Sequence, residues 1–280
     1  MKKVTMQGSH EKPNVHRSKI VHYCYNTTNK EGEHFIMEHA LSYLLAGSQE
    51  FYSDSYKYLF KTGDIRLFAK DQLGRFVKIP PTGEQFVVIT VRLDRDTLLD
   101  MSAELQLSAR DNYTGPPVLQ LPRDPLLINF FQSLKPYYDG IPPVNEALVN
   151  IKIREAIMIL LEVNPVLQNL LFDFRKPDKM SLKAFMLRNY YYNVNIDRFA
   201  YLTGRSLATF KRDFQKTFGM PPHAWLMQQR LQKAHEMLQK KGLSALDVFE
   251  EVGFKDYTHF SFAFKKAFGY PPSATKTYNF

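Results

Sequence analysis

Two groups of residues in the last third of the chain have side chains suited to phosphate oxygens and base edges. The first is Ala208, Thr209, Lys211, Arg212 and Gln215; the second, fifty positions on, is Thr258, His259, Ser261, Phe262 and Lys265. Lys, Arg and Gln donate to such acceptors, and apolar side chains meet thymine methyls. The charge around them agrees. Residues 181–280 hold 15 Lys and Arg against 7 Asp and Glu, while residues 1–180 hold 22 against 21, so nearly all of the +9 formal charge lies in the last third. Such asymmetry points to a segment that meets a polyanion, with nucleic acid first among them; a basic surface that aids solubility is the bland alternative.

What must position these residues is a duplication. Phe210, Phe214, Phe218, Gly219, Pro221 and Pro222 recur as Phe260, Phe264, Phe268, Gly269, Pro271 and Pro272, every pair 50 positions apart. In each copy the phenylalanines fall at i, i+4 and i+8, one stripe of a helix. The glycine suits a left-handed C-cap, and the prolines prevent continuation. Ser206 and Asp256 stand where an N-cap belongs. Upstream a shorter helix is predicted, with Ile196, Phe199, Ala200 and Leu202 apolar in the first copy and Val248, Phe249 and Val252 in the second. Each runs into a glycine turn, Thr203-Gly204-Arg205 or Gly253-Phe254-Lys255. Helix, short turn, helix is the helix-turn-helix motif, whose second helix enters the major groove of DNA.

The aromatic frame is kept while the outward face changes. Two scaffolds reading two different sequences would look like this, and drift of unconstrained surface residues is the alternative. Between the copies a helix over 223–240 is predicted, with Met227, Leu231, Ala234 and Leu238 as its stripe and Lys240, Lys241 and Gly242 as its end. About 18 residues span roughly 27 Å, enough to bring two helices toward successive major grooves about 34 Å apart.

Residues 181–280 resemble the DNA-binding domain of AraC/XylS-type bacterial transcription regulators. The resemblance is carried by DRFAYLTGRSLATFKRDFQKTFGMPPHAWL, by RLQKAHEML, and by LSALDVFEEVGFKDYTHFSFAFKKAFGYPPSATK. It implies a seven-helix domain with two helix-turn-helix units on consecutive major-groove segments of an asymmetric site. By position it implies base-reading roles for Ala208, Lys211 and Arg212 and for Thr258, His259 and Phe262. Lys211 and Arg212 suit guanine O6 and N7; Lys265 and Lys266 suit phosphates; Gln215 suits either. Thr209 belongs to the same DNA-facing set. Phe262 stands where the family commonly has a polar or basic residue. It either meets a thymine methyl or packs inward, and inward packing is the favoured reading. Phe249 replaces a small residue, so the second unit is expected to pack unusually and to be the weaker reader. The implied partners are double-stranded promoter DNA and RNA polymerase, in an activator's role.

The first 180 residues resemble, more loosely, the N-terminal cupin-like barrel plus helices of full-length members, regions that bind a small effector or a regulatory protein or pair subunits as a homodimer. From about 20 to 91, segments rich in Tyr, Phe, Val and Ile alternate with turn signals at Thr27-Thr28-Asn29, Gly32, Gly47-Ser48, Thr62-Gly63-Asp64, Leu73-Gly74 and Thr82-Gly83. That spacing predicts an antiparallel sandwich or barrel. Two helices follow. One starts at Asp124-Pro125, carries Leu127, Phe130, Phe131 and Leu134, and ends at Pro136. The other runs from near Asn145 to before Pro165 with Leu148, Ile151, Ile157 and Leu160. It is apolar on more than one face, which fits packing on its own barrel and on a second subunit or the other domain. A boundary within 174–179 gives an α+β chain: a cupin-like sensing or dimerisation domain over 1–175 and an all-α double helix-turn-helix domain over 180–280.

Enzyme chemistry finds little support. A metal-binding cupin usually shows two histidines one residue apart. His34 and His39, beside Glu33 and Glu38, are five apart and would face opposite sides of a strand, and no histidine lies between His39 and His223. The chain has no Walker loop, no Gly-x-Ser-x-Gly elbow and no Cys-x-x-Cys pair. Cys24 is the one cysteine, so no intramolecular disulfide forms. His223 and His235 read as surface or packing residues. The N-terminus lacks the apolar run of a secretory signal, and the AIMILL run of 156–161 is too short to span a bilayer. The expectation is a cytoplasmic regulator with no membrane partner, no enzymatic activity, no metal and no cofactor. Its rivals are a cupin-type metalloenzyme with a basic helical appendage and a protein-interaction module without DNA. Tyr43, Phe51, Tyr58, Phe60 and Phe68 line a pocket or simply fill the strand core, and no effector-binding residue is nominated.

Overall fold

Alternating side chains build the first half. Along β3 (His39–Ala46), Leu41 and Tyr43 join a core beneath helices, while Ala40 and Leu44 join a core between two sheets. The computed structural model describes residues 18–53, 56–139, 145–175, 179–239 and 243–275. One sheet runs β1 (Ile20–Tyr25), β8 (Phe86–Leu93), β3, β6 (Ile65–Phe68), β9 (Val118–Leu121); the other runs β2 (Asn29–Ile36), β7 (Gln72–Ile79), β4 (Ser48–Ser53), β5 (Tyr56–Lys61). Their pairings are antiparallel. Phe51 and Phe60 from one sheet meet Leu44, Phe68, Phe86, Val88 and Val118 from the other. The outer face of the five-stranded sheet is covered by α1 (Arg95–Leu105), α2 (Pro125–Ser133) and α4 (Glu146–Val163), through Leu98, Met101, Phe130, Phe131, Ile153 and Ile157.

Several local expectations needed correction. Gly32 lies inside β2, across a register shift between Glu31 and His34, rather than in a turn. Leu73 and Gly74 lie inside β7; the reversal comes earlier, where Asp71 takes a left-handed φ of 62°. Gly74 is there for packing, since a Cβ would stand 2.0 Å from the Phe51 ring. Pro136 opens a helix instead of ending one: α2 stops at Ser133, and α3 (Lys135–Asp139) holds Pro136 in its first turn, where a missing N–H costs nothing. α1, β9 and α5 (Gln168–Leu171) had no counterpart in the sequence reading. α4 begins at the expected cap, Asn145, whose side chain accepts from Ala147 N. Its buried face is Ile153, Ala156, Ile157 and Leu160, whereas Leu148 and Ile151 are exposed.

The second half is helical: α6 (Leu182–Asn189), α7 (Ile196–Leu202), α8 (Leu207–Phe218), α9 (Pro222–Gln239), α10 (Ala245–Glu251) and α11 (Tyr257–Phe268). A 3-10 turn at Pro272–Ala274 follows, so the described residues hold six α-helices where seven were expected. The predicted end of the connecting helix at 240–242, the central part of the predicted boundary at 176–178 and the N-terminal 1–17 lie outside the described residues. No described helix is long and apolar enough to cross a membrane. Each repeat has its own small core, one around Phe199, Phe210, Phe214 and Trp225, the other around Val248, Phe260, Phe264 and Leu238.

Candidate nucleic-acid interface

Each helix-turn-helix unit is fixed by the devices its sequence announced. Ser206 Oγ accepts from Thr209 N at 3.2 Å to start α8, and Asp256 Oδ1 accepts from His259 N at 2.7 Å to start α11. Gly219 and Gly269 close those helices at φ 73° and 85°, donating to Gln215 O and Lys265 O. Phe210, Phe214, Phe260 and Phe264 are fully buried. In the first turn Thr203 Oγ1 donates to Phe199 O and Ala200 O, at 2.8 and 3.0 Å, closing α7 onto itself.

Burying one stripe leaves the other face free. Ala208, Lys211, Arg212 and Gln215 are exposed on α8, and Thr258, His259, Phe262, Lys265 and Lys266 are exposed on α11. Phe262 is 70% exposed, so the inward packing favoured above is wrong. The reason is helical phase: two residues past Phe260 is about 200° around the axis, opposite the buried stripe. Thr209 departs from the outward set. It is half-buried, and its hydroxyl is hydrogen-bonded to Ser206 Oγ at 3.0 Å, which makes it part of the cap. Asp213 gathers the cations behind the α8 face: Arg205 Nε lies 3.2 Å and Arg212 Nη2 3.6 Å from its oxygens. The Arg205 hydrogen bond holds the Asp213 carboxyl below its ordinary range. Phe249 lies half-buried with its ring 5.7 Å from Tyr257 and 6.4 Å from Phe260, so the second unit absorbs it within its aromatic core.

A residue that the sequence reading passed over ties the units together. Arg230, on α9, donates from Nε to Tyr190 O at 2.9 Å, from Nη2 to Tyr192 O at 2.7 Å and from Nη1 to Gly253 O at 3.1 Å. The first two carbonyls belong to the segment leading into α7, and the third is the turn of the second unit. A Cβ on Gly253 would stand 2.3 Å from Tyr191 O, so glycine lets the two segments touch. The sequence offered an Arg on the connecting helix but no sign of its distant carbonyl partners. α9 also packs both repeats: Trp225 lies 4.5 Å from Phe218, and His235 stacks 4.6 Å from Phe268 while bonding Tyr270 Oη at 2.7 Å. His235 is thus a packing residue.

The first unit also touches the β half. Tyr201 Oη of α7 donates to Asp71 Oδ2 at 3.3 Å, and Arg198 lies 5.2 Å over the Phe35 ring. Tyr192 Oη reaches Tyr52 O at 3.5 Å, and Leu73 of β7 is buried in the first unit's core. Burial raises the Asp71 carboxyl above its ordinary range. A cleft of about 390 Å³ opens beside this contact, lined by Ser53, Asp71 and Gln72 on one side and Ser181, Phe185 and Arg188 on the other. Of the metal-ligand candidates, His39 is fully buried, its Nδ1 accepts from Lys70 N at 3.2 Å, and burial pushes its pKa down to about 3. The side chains of His34 and Glu33 lie outside the described residues. Among the described residues no three His, Cys, Asp or Glu side chains are grouped to hold a metal ion.

Comparison with known proteins bears on both halves. A family model described as a helix-turn-helix domain matches residues 199–278, and one described as the ExsA N-terminal regulatory domain matches residues 39–170. The virulence regulon transcriptional activator VirF of Yersinia enterocolitica is 28% identical over 171 residues, which are 60% of this chain and 62% of that protein. The HTH-type transcriptional regulator ExsA of Pseudomonas aeruginosa is 27% identical over 164 residues, 58% of either chain. A crystal structure of apo ToxT from Vibrio cholerae superposes with a TM-score of 0.47 at 14% identity, covering 93% of this chain and 97% of that one. The chain spans about three fifths of the length of the curated relatives it matches.

Proposed function

We propose a function from one premise: the chain belongs to the AraC/XylS family of bacterial transcription regulators. It is a sequence-specific DNA-binding activator whose two recognition helices, α8 and α11, read adjacent major-groove segments of a promoter. The observation that carries this reading is the pair of buried phenylalanine stripes presenting unlike exposed faces, joined by α9 and by the three carbonyl bonds of Arg230. Lys211 and Arg212 read guanine through O6 and N7. Gln215 assists, and Ala208 offers a methyl. Thr258, His259 and Phe262 read the second segment, and Lys265 and Lys266 anchor phosphates.

The helical domain takes residues 180–280. The β domain, 1–175, receives the signal, whether a small effector or a regulatory protein, and passes it through the Asp71–Tyr201 contact to the first unit. Contact with RNA polymerase and pairing of two chains complete the activator's role. The exposed apolar residues Leu148 and Ile151 on α4 favour a second copy as one occupant of that face.

Footprinting on the DNA flanking its own gene should protect one discrete, asymmetric site, and binding should weaken steeply with salt as counterions are released. On that site Arg212→Ala should cost about 1–3 kcal/mol at one base position. Lys266→Ala should weaken all sequences alike and lower the salt slope by about 1. Uniform loss in both variants would remove Arg212 from base readout, and absence of any protected site would favour a protein-docking role.

A further inference from the structure

The chain enters the helical domain beside the first recognition helix. Arg205, in the turn before α8, donates from Nη1 to Met180 O at 3.0 Å and to Thr203 O at 2.6 Å, and from Nε to Asp213 Oδ2 at 3.2 Å. Its side chain is 8% exposed. One shielded guanidinium therefore fastens three stretches together: the residue before the Ser181 cap of α6, the end of α7, and α8. Because Met180 O is pinned, Lys179, its neighbour in the chain, is held near α8 at little further cost in chain entropy.

Lys179 Nζ lies 4.0 Å from Asp213 Oδ2, and Arg212 Nη2 lies 3.6 Å from Asp213 Oδ1. The three cations do not hold this carboxylate equally. Arg205 supplies a hydrogen bond, and that bond, ahead of the charges of Lys179 and Arg212, keeps Asp213 below the ordinary carboxylate range. Lys179 and Arg212 stand beyond hydrogen-bond reach of it, with side chains 65% and 76% exposed. Pairs this open contribute little to stability, so neither cation is committed to holding the fold. Asp213 follows Arg212 by about 100° around the helix axis, on the flank of α8 between its outward face and the buried Phe210–Phe214 stripe. A cation over that flank sits at the rim of the face that carries Arg212. Sharing one carboxylate, Lys179 and Arg212 are closer together than the roughly 12 Å width of a major groove.

We infer that the entry to the helical domain is itself a DNA-contacting element: Lys179 binds a backbone phosphate at the rim of the groove in which Arg212 reads its base. An ammonium is a compact point charge that suits a phosphate oxygen, while the planar fork of Arg212 suits a base edge. The Arg205 bond leaves Asp213 satisfied when both cations turn to the duplex, so binding does not strand its carboxylate. A phosphate contact at this rim fixes the register of α8 and carries no sequence information of its own. The inference rests on the reading of α8 as a recognition helix, and it extends the interface from the two recognition helices to the connection between the halves of the chain.

The full chain and its Lys179→Gln and Lys179→Arg variants are titrated with duplexes carrying the footprinted site, over a range of salt. Lys179→Gln should bind about eightfold more weakly at about 0.1 M salt, with the difference closing toward about 1 M, as the loss of one phosphate contact requires. Its Tm should match wild type, and Lys179→Arg should keep wild-type affinity. Duplexes in which single phosphates are replaced by neutral methylphosphonate then locate the contact. One replacement, beside the base pair where Arg212→Ala loses discrimination, should weaken wild type by the same factor and leave Lys179→Gln unchanged. A loss of less than about twofold at 0.1 M salt, or one that no single replacement abolishes, overturns the contact. A chain that protects its site and loses discrimination in Arg212→Ala, yet binds equally well as Lys179→Gln, refutes only this contact; a chain that protects no site overturns the reading of α8 along with it.

Discussion

The first helix-turn-helix unit turns Lys211, Arg212 and Gln215 outward and rests on the β domain through Tyr201, Arg198 and Tyr192. The second turns Thr258, His259 and Phe262 outward and is tied through Gly253 O to Arg230. Both stand on the same frame, with an N-cap, two fully buried phenylalanines and a left-handed glycine. What the frame shares is what packing dictates, and what differs is what packing leaves free. The more polar exposed face therefore belongs to the unit that touches the β half, and the more apolar one to the unit tied to Arg230 of α9.

The comparison breaks most severely at Arg230. Arg230→Met strips charge-assisted bonds from three partly buried carbonyls and should cost about 3 kcal/mol or more of stability, read by urea unfolding. Affinity for the whole site should fall further than affinity for either half-site alone, because the units lose their fixed phase. Equal losses on whole and half sites would make Arg230 a fold residue only.

Phe262 sharpens the contrast between the faces. Phe262→Ala should leave stability within about 0.5 kcal/mol of wild type, since the ring is exposed. It should cost about 1 kcal/mol of affinity on a site with thymine at the contacted position. Replacing that thymine by deoxyuridine should remove the difference. A loss that ignores the methyl would assign Phe262 to something other than base contact.

The smallest effect belongs to Asp71. Burial raises its folded pKa, so the native state holds the proton more tightly than the unfolded chain does. Its contribution is most favourable below the ordinary carboxylate value and is lost as pH climbs through the raised one. Asp71→Asn keeps an acceptor for Tyr201 and a residue that tolerates the left-handed backbone. It should raise Tm slightly at about pH 8 and change it little at about pH 4. A larger gain at the acid end would reverse the sign and refute the desolvation account.

The helical half was largely legible because its signals are local. Caps, a three-residue aromatic stripe and terminal glycines specify a helix from within its own sequence, and a second copy repeats them. The β half was legible in kind but not in every boundary. Gly74 reads like a turn, yet it serves Phe51 packing from inside a strand. α1 buries only Thr97, Leu98 and Met101 and carries no strong apolar period. Phe262 could have been placed by phase against the Phe260–Phe264 stripe. The partners of Arg230 depend on residues far away in the chain, which no local pattern reports.

The central claim is that two unlike faces act on one duplex in fixed register. Inserting about 5 bp, half a helical turn, between the two half-sites of the footprinted site tests it directly. Wild-type affinity should fall to that of a single half-site, and an insertion of about 10 bp should not restore it, because α9 and Arg230 fix the span as well as the phase. Undiminished binding to the half-turn insertion would contradict the account.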